Sequence, residues 1–357
     1  MSAEVRAAAK GFPVVVVTGP RRSGKTTLLR MVAPKASYHL LEDPDLLARV
    51  RADPRAFLES VALPAILDEV QNAPELLAYV RSQVDAAPKK RGRWFLSGSP
   101  EAPPMQGVTE SLAGRAAIFH LLPLSLGESP RVSLWRGGFP EVLAQPKLAD
   151  TWFRSYIQTC LERDVRAVTQ IRDLSTFRRF LSLVASRAGS VLNKTDLAAP
   201  LGVSVPTIAQ WLSVLEITGQ ILLVPPFYEN FGKRLGKSPK LYFADTGLLC
   251  HLLGLRSEAE LERSPFLGPV FESFVASEIA KRQLGAGRLL LLEAKASRTA
   301  KPEMAEPLLR LSKNTGQHEV ERVVVHRPVC APRSLAVLAP GVSASTLEHV
   351  VRDRVLG

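Results

Sequence analysis

Residues 19–26 read Gly-Pro-Arg-Arg-Ser-Gly-Lys-Thr, a glycine, four variable residues, then glycine, lysine and a hydroxyl residue. This is the spacing of a phosphate-binding loop, and it constrains the chain more than anything else in the sequence. Val14 to Val17 form a short β-branched apolar run before it, and Thr27, Leu28, Leu29 and Met31 continue at helical spacing after it. Strand, loop, helix is the order that phosphate binding needs, because the loop N–H groups and the helix N-terminus must converge on one anion.

Each loop position has a physical task. Gly19 and Gly24 permit backbone conformations and a close approach that a Cβ obstructs, so that the amides of Pro20-Arg21-Arg22-Ser23 and of Lys25, Thr26 and Thr27 can surround phosphate oxygens, Pro20 itself contributing shape but no N–H. Lys25 is the point charge for the β and γ phosphates. Thr26 offers a hydroxyl ligand to Mg²⁺, which takes its remaining ligands from nucleotide and water. ATP or GTP is therefore the first ligand to expect, with Mg²⁺ as its companion.

The 357 residues are 46% hydrophobic, enough for two or three domains with their own cores and no need of staples. Cys160, Cys250 and Cys330 lie far apart with no pair at metal-site spacing, which predicts a reducing compartment and no structural zinc. No stretch approaches the roughly 20 apolar residues of a membrane span, so a cytoplasmic location without membrane contact is expected. The formal net charge of +12 favours polyanionic partners, nucleic acid among them.

About forty residues beyond the loop, Leu63 to Gln71 read LPAILDEVQ, an apolar strand ending in two acids. After a phosphate loop this reads as a Walker B segment. Asp68 would hold Mg²⁺ through water, and Glu69 would orient or deprotonate the attacking water. A third apolar strand, Trp94 to Leu96, ends in Ser97, Gly98, Ser99 and Pro100. Strand tips beside the first loop are where open α/β sheets bind ligands, so Ser97 and Ser99 are candidates to sense the γ-phosphate, although strand ends are rich in such residues anyway. Arg115, in a Gly-Arg pair before the strand that follows, is a candidate arginine finger for its own site or a neighbour's; a bond to a nearby carboxylate or carbonyl is the structural alternative.

The segments GPRRSGKTTLL, ILDEVQ, FLSGSP, SLAGR with LLPLS, LWRGGFPEV, YIQTCLERDV and KSPKLYFADTGLL resemble, in order, a bacterial and archaeal family of AAA-type P-loop ATPases that carry a C-terminal domain of unknown function. The resemblance implies an α/β chain of four parts: a parallel-sheet P-loop NTPase domain over residues 1–130, a helical connector over 131–186, a winged-helix module over 187–248, and a small nuclease-like α/β domain over 249–357. It also implies ATP rather than GTP, hydrolysis, and a possible homo-oligomer.

The connector places Trp152, Tyr156, Ile157, Leu161 and Val165 on one helix face, interrupted by Glu162, Arg163 and Asp164; the resemblance makes Arg163 a candidate phosphate contact, with a helix-surface ion pair as the alternative. The winged helix would run from Lys194 to Pro200, turn over Leu201 to Ser204, and continue from Val205 to Thr218. Ser204 would be its N-cap, Gly219 its stop, and Ile221–Val224 and Lys240–Phe243 its wing strands. Ile208, Trp211, Leu212 and Leu215 are its core face, leaving only Thr207, Gln210 and Ser213 toward any base edge. Lys233, Arg234, Lys237 and Lys240 in the wing suit phosphate contacts to DNA or RNA, and a protein-docking role is the alternative. The string Asn193-Lys194-Thr195-Asp196 matches a GTPase base-reading sequence, but its place at a helix start favours a cap.

In the C-terminal part, Glu293-Ala-Lys295 after an apolar strand is half of a metal-dependent nuclease signature. Catalysis would need a further carboxylate, and no acid lies between Glu278 and Glu293, so Glu272 or Glu278 would have to serve. The sequence thus predicts an ATP-hydrolysing switch or remodelling protein. A nucleotide-gated nucleic-acid-binding regulator is the alternative, and a metal-dependent nuclease a weaker one.

Overall fold

The computed structural model describes residues 1–98, 111–162, 174–226, 237–282, 289–312, 320–327 and 336–351. The chain divides into two compact units. The first is built on Met1–Pro123 with short returns that include Ile217–Gly219, and the second on most of the chain from Leu124 onward.

The first unit is a five-stranded sheet. Its strands are β1 (Val14–Thr18), β2 (Ser37–Leu40), β3 (Ala65–Asp68), β4 (Trp94–Ser97) and β5 (Ala116–His120). All pairings are parallel, in the order β2-β3-β4-β1-β5. The apolar run that marks β1 follows from its position, because a strand flanked on both sides and covered on both faces has no water-facing residue. Val14 and Val16 pack with Leu41, Phe57, Leu76 and Val80, whereas Val15 and Val17 pack on the other face with Val5, Leu28 and Leu29. Two helical layers therefore enclose the sheet. Every strand tip points its C-terminal end toward the same edge, where the loop after β1 leads into helix Lys25–Val32.

The second unit holds two further sheets. Strand β6 (Ile221–Val224) pairs antiparallel with β7 (Lys240–Phe243). Helix Lys194–Ala198, continued by a 3₁₀ turn over Ala199–Leu201, and helix Val205–Ile217 precede this hairpin, with a bend of 111° between Lys194–Leu201 and Val205–Ile217. Asn193 caps the first by accepting from Thr195 N and Asp196 N, and Ser204 Oγ accepts from Thr207 N. Ile208, Trp211, Leu212 and Leu215 are buried, with Trp211 edge-on to Phe177 and Phe180. Among the described residues no single helix is long and apolar enough to cross a membrane.

The last sheet runs β10 (Ala336–Ala339), β11 (Val342–Thr346), β9 (Val320–His326), β8 (Leu289–Lys295). Its one face, with Leu292, Ala294, Val323 and Val325, packs on Phe271, Phe274 and Val275 of helix Leu267–Arg282.

The segments carrying LWRGGFPEV and YFADTGLL are joined inside the second unit. Asp245, buried at the N-cap of helix Thr246–Leu252, accepts from Leu248 N at 2.9 Å and from Gly138 N at 2.6 Å. Gly138 tolerates no side chain, since a Cβ would lie 2.1 Å from the Leu124 carbonyl oxygen. Burial pushes the Asp245 carboxyl above the usual carboxylate range, against the backbone donors and the charge of Lys281. These two sequence signatures are thus a structural clamp.

Candidate active site at the phosphate loop

The loop from Gly19 to Gly24 turns the chain from β1 into helix Lys25–Val32 through three left-handed positions: Gly19 at φ 139°, Arg22 at φ 62° and Gly24 at φ 99°, which is the helix N-cap. Gly19 is fixed twice over. Its φ excludes ordinary residues, and a Cβ there would sit 2.1 Å from the carbonyl oxygen of Leu121, at the end of β5. The loop amides that a phosphate would need are presented by this geometry and by the first turn of the helix. Ser23 is buried within it with its hydroxyl unpartnered among the described residues, while Thr27 faces outward.

Lys25 is 5% exposed, and its ammonium donates to the carbonyls of Gly19 (3.0 Å) and Pro20 (2.9 Å). A buried ammonium requires such acceptors. The cation therefore lies against the loop that would hold the polyphosphate.

Asp68, at the tip of β3 and 2% exposed, is the centre of the polar network. Its Oδ2 accepts from the hydroxyls of Thr26 and Tyr38, each at 2.7 Å, and its Oδ1 accepts from Ser97 Oγ. β3 and β1 are not neighbours, because β4 lies between them. Thr26 and Asp68 consequently meet above the tip of β4, where Ser97 is wholly buried and anchors the carboxylate from below. Ser97 Oγ also lies 3.5 Å from Glu69 N. A hydroxyl and a carboxylate at this separation suit a hard cation that takes its remaining ligands from elsewhere. Mg²⁺ bound to a nucleotide fits that donor set.

Glu69 stands beyond the strand tip in a left-handed conformation (φ 58°, ψ 47°), costly for a residue with a Cβ. It turns the chain into the short 3₁₀ helix Val70–Asn72, and Gln71 Nε2 donates to its Oε2.

Two residues join the site that the sequence did not single out. Tyr38, on β2, donates to Asp68; burial and the Asp68 carboxylate push its phenol up to about 12, and the Arg30 guanidinium lies 3.9 Å from its ring centre. His120 ends β5. Thr18 Oγ1 donates to Phe119 O, so at 3.2 Å it accepts from His120 Nδ1, which leaves Nε2 as the unprotonated nitrogen. Burial, then the charge of Lys25, lowers the His120 pKa. Both are polar residues on strands that end at the ligand edge of a parallel sheet, a position visible once the strands are placed.

Other expected site residues lie elsewhere. Arg115 precedes β5 at the opposite edge of the sheet, where its carbonyl accepts from Val14 N. Its guanidinium is bidentate to Asp85 (Nε to Oδ1 2.6 Å, Nη2 to Oδ2 3.0 Å), the structural pairing rather than a phosphate contact within this chain. Ser99, Arg163, Lys233 and Arg234 fall outside the described residues. Lys237 is exposed, and Lys240 pairs with Glu272 at 3.3 Å.

The nuclease-like half-site is not completed by Glu272 or Glu278. Leu292 and Ala294 face helix Leu267–Arg282, so Glu293 and Lys295 point to the other face of β8, where they pair with each other at 2.7 Å. Glu278 is wholly buried, bound to Lys281 Nζ and to Leu126 N.

Two family models match consecutive stretches of the chain. Residues 11–129 match the family described as AAA domain, and residues 128–259 match a domain of unknown function (DUF8612). The uncharacterized proteins Rv2008c of Mycobacterium tuberculosis and Mb2031c of Mycobacterium bovis are each 36% identical over 289 residues, covering 78% of this chain. The match spans 65% of the length of those relatives. Among solved structures, the Walker-type ATPase PABY2304 of Pyrococcus abyssi aligns at 15% identity with a TM-score of 0.42, covering 70% of this chain and 94% of the other. Residues 11–129 are thus similar in sequence to the family described as AAA domain, and the same stretch carries the all-parallel sheet and the phosphate loop.

Proposed function

We propose that this protein binds ATP with Mg²⁺ at the loop Gly19–Thr27 and hydrolyses it. The single observation that carries this reading is the meeting of Thr26 and Asp68 above β4, 2.7 Å apart and beside a buried lysine, at the ligand edge of a parallel sheet. The loop amides and Lys25 would bind the phosphates, Thr26 and Asp68 would hold the metal, and Ser97 would keep the Asp68 carboxylate in register. Bound there, Mg²⁺ would neutralise charge on the phosphoryl oxygens. Glu69 would take the proton of the attacking water. ATP is favoured over GTP because Asn193, the first residue of the base-reading string, is used as a helix cap in the second unit.

Phosphate release by the purified protein tests the reading. Wild type should hydrolyse Mg-ATP, and Lys25→Ala should lose at least 100-fold in kcat/KM through the lost phosphate charge. Equal turnover by the two proteins would refute it. For Arg115, position at the far sheet edge supports only a role on a neighbouring copy's nucleotide, within a homo-oligomer.

The helix pair and hairpin of residues 193–243 support reading that segment as a winged helix, within the four-part division at 130, 186 and 248. A switch or remodelling role of the protein as a whole, driven by hydrolysis, is part of this proposal. Nucleic-acid binding by the wing rests on the net charge of +12; Lys240 is already engaged by Glu272, so Lys237 is the described wing cation left for phosphate. A protein partner is the other occupant of this proposal.

A further inference from the structure

The sequence ILDEVQ carries one side chain to which the nucleotide site has so far given no task, Gln71. We propose that Gln71 and Glu69 together form the water-holding pair of the hydrolysis site. In this pair the Gln71 amide N–H fixes the Glu69 carboxylate, and its carbonyl oxygen accepts a hydrogen bond from the attacking water. This rests on the ATPase reading above.

Three observations converge on it. The left-handed backbone of Glu69 turns β3 into the 3₁₀ helix Val70–Asn72, and that bend returns the side chain of residue 71 to the side of residue 69. An unfavourable conformation kept at the tip of a ligand-facing strand marks a place where geometry matters more than local stability. Second, Gln71 Nε2 donates to Glu69 Oε2. An ionised carboxylate accepts only, so the amide has no freedom to flip, and its oxygen must face away from Glu69.

Third, that oxygen, Gln71 Oε1, is buried and receives no hydrogen bond among the described residues. A buried acceptor left open in a folded chain is uncommon and calls for a donor from outside the protein. Water has the size and the two protons required: one toward Gln71 Oε1, the other toward Glu69. Held so, its oxygen lone pair is free to form the bond to the γ-phosphorus. The bond from that phosphorus to the β–γ bridging oxygen breaks with its electron pair leaving on ADP, and the proton passes to the Glu69 carboxylate, giving ADP and phosphate. Gln71 exchanges no proton; it orients.

A purely structural Gln71 would only brace the 3₁₀ turn, and the two roles predict different kinetics. The test uses the full chain with Gln71→Leu, which keeps the bulk and removes both hydrogen-bonding groups, and Gln71→Glu, which keeps the shape and removes the N–H. Each is made alone and in a Glu69→Gln background. Turnover is read as phosphate release, and nucleotide affinity is read separately by titration with a fluorescent ATP analogue. Both single variants should lose on the order of 100-fold in kcat, the penalty of misplacing a reactant by about an ångström, with affinity held within about twofold. Added to Glu69→Gln, either should cost less than about threefold more, because residues that act as one unit are not additive.

Turnover within about threefold of wild type in Gln71→Leu and Gln71→Glu, or losses that multiply in the double variants, would overturn the pair while leaving the ATPase assignment standing. Absence of hydrolysis in wild type would instead remove the assignment on which it rests. Should Gln71→Leu unfold early, the isosteric Gln71→Glu decides alone.

Discussion

Gly19 shows how tightly single residues determine this site. The carbonyl of Leu121 occupies the space where any side chain would begin, and the backbone at φ 139° is itself closed to other residues. Gly19→Ala must therefore push the loop away from β5, and nucleotide affinity measured by titration should fall at least tenfold, without requiring loss of the fold. His120, at the other side of that contact, makes a pH prediction. Its pKa is lowered in the folded state by burial and by Lys25, so the unfolded chain binds its proton first. The stability it protects is fully present above the ordinary histidine value of about 6.5 and is lost as pH falls through the lowered one. His39 and His251 are lowered by burial in the same direction, so the acid slope has several sources. His120→Asn should flatten part of the fall in melting temperature between about pH 7.5 and 5; an unchanged slope would deny His120 its share.

At the scale of elements, what the sequence made legible was what burial on both faces makes uniform. β1, β3 and β4 announced themselves as apolar runs because the sheet leaves them no polar side, and the glycine spacing of the loop required the turn between strand and helix. β2 did not, since Ser37-Tyr38-His39-Leu40 is an edge strand with every residue half-buried and no run to read. Tyr38 was therefore invisible as a partner of Asp68, thirty residues away. Arg115 is the opposite case. Its motif was legible, but whether an arginine before a strand meets a phosphate or Asp85 depends on which end of the sheet the strand enters. The clamp between Gly138 and Asp245 joins positions 107 apart, and no local pattern foretells such a partner. Asp245→Asn replaces one of two acceptor oxygens by an NH₂ facing a backbone donor. It should destabilise the second unit by about 1–3 kcal/mol in chemical denaturation, and no change in the midpoint would mean that burial cost and hydrogen bonds cancel there.

For the whole molecule, the candidate nucleotide-site residues Lys25, Thr26, Asp68 and Ser97 gather at one sheet edge of the first unit, while the second unit holds a buried clamp, a hairpin and a half-site in which Glu293 and Lys295 satisfy each other. The net charge of +12 makes polyanion binding the first whole-molecule property to measure. If Lys237 and its neighbours contact phosphates, affinity for DNA or RNA should fall steeply between about 50 and 200 mM salt; a flat dependence would exclude a wing that reads the backbone. The central claim concerns the site itself and is tested most directly by separating binding from chemistry in Glu69→Gln. Titration with ATP and Mg²⁺ should give an affinity within about threefold of wild type, while single-turnover phosphate release falls by about 100-fold or more, because the cradle is intact and the proton acceptor is gone. Turnover preserved in Glu69→Gln, or affinity and turnover lost together, would contradict this account of the site.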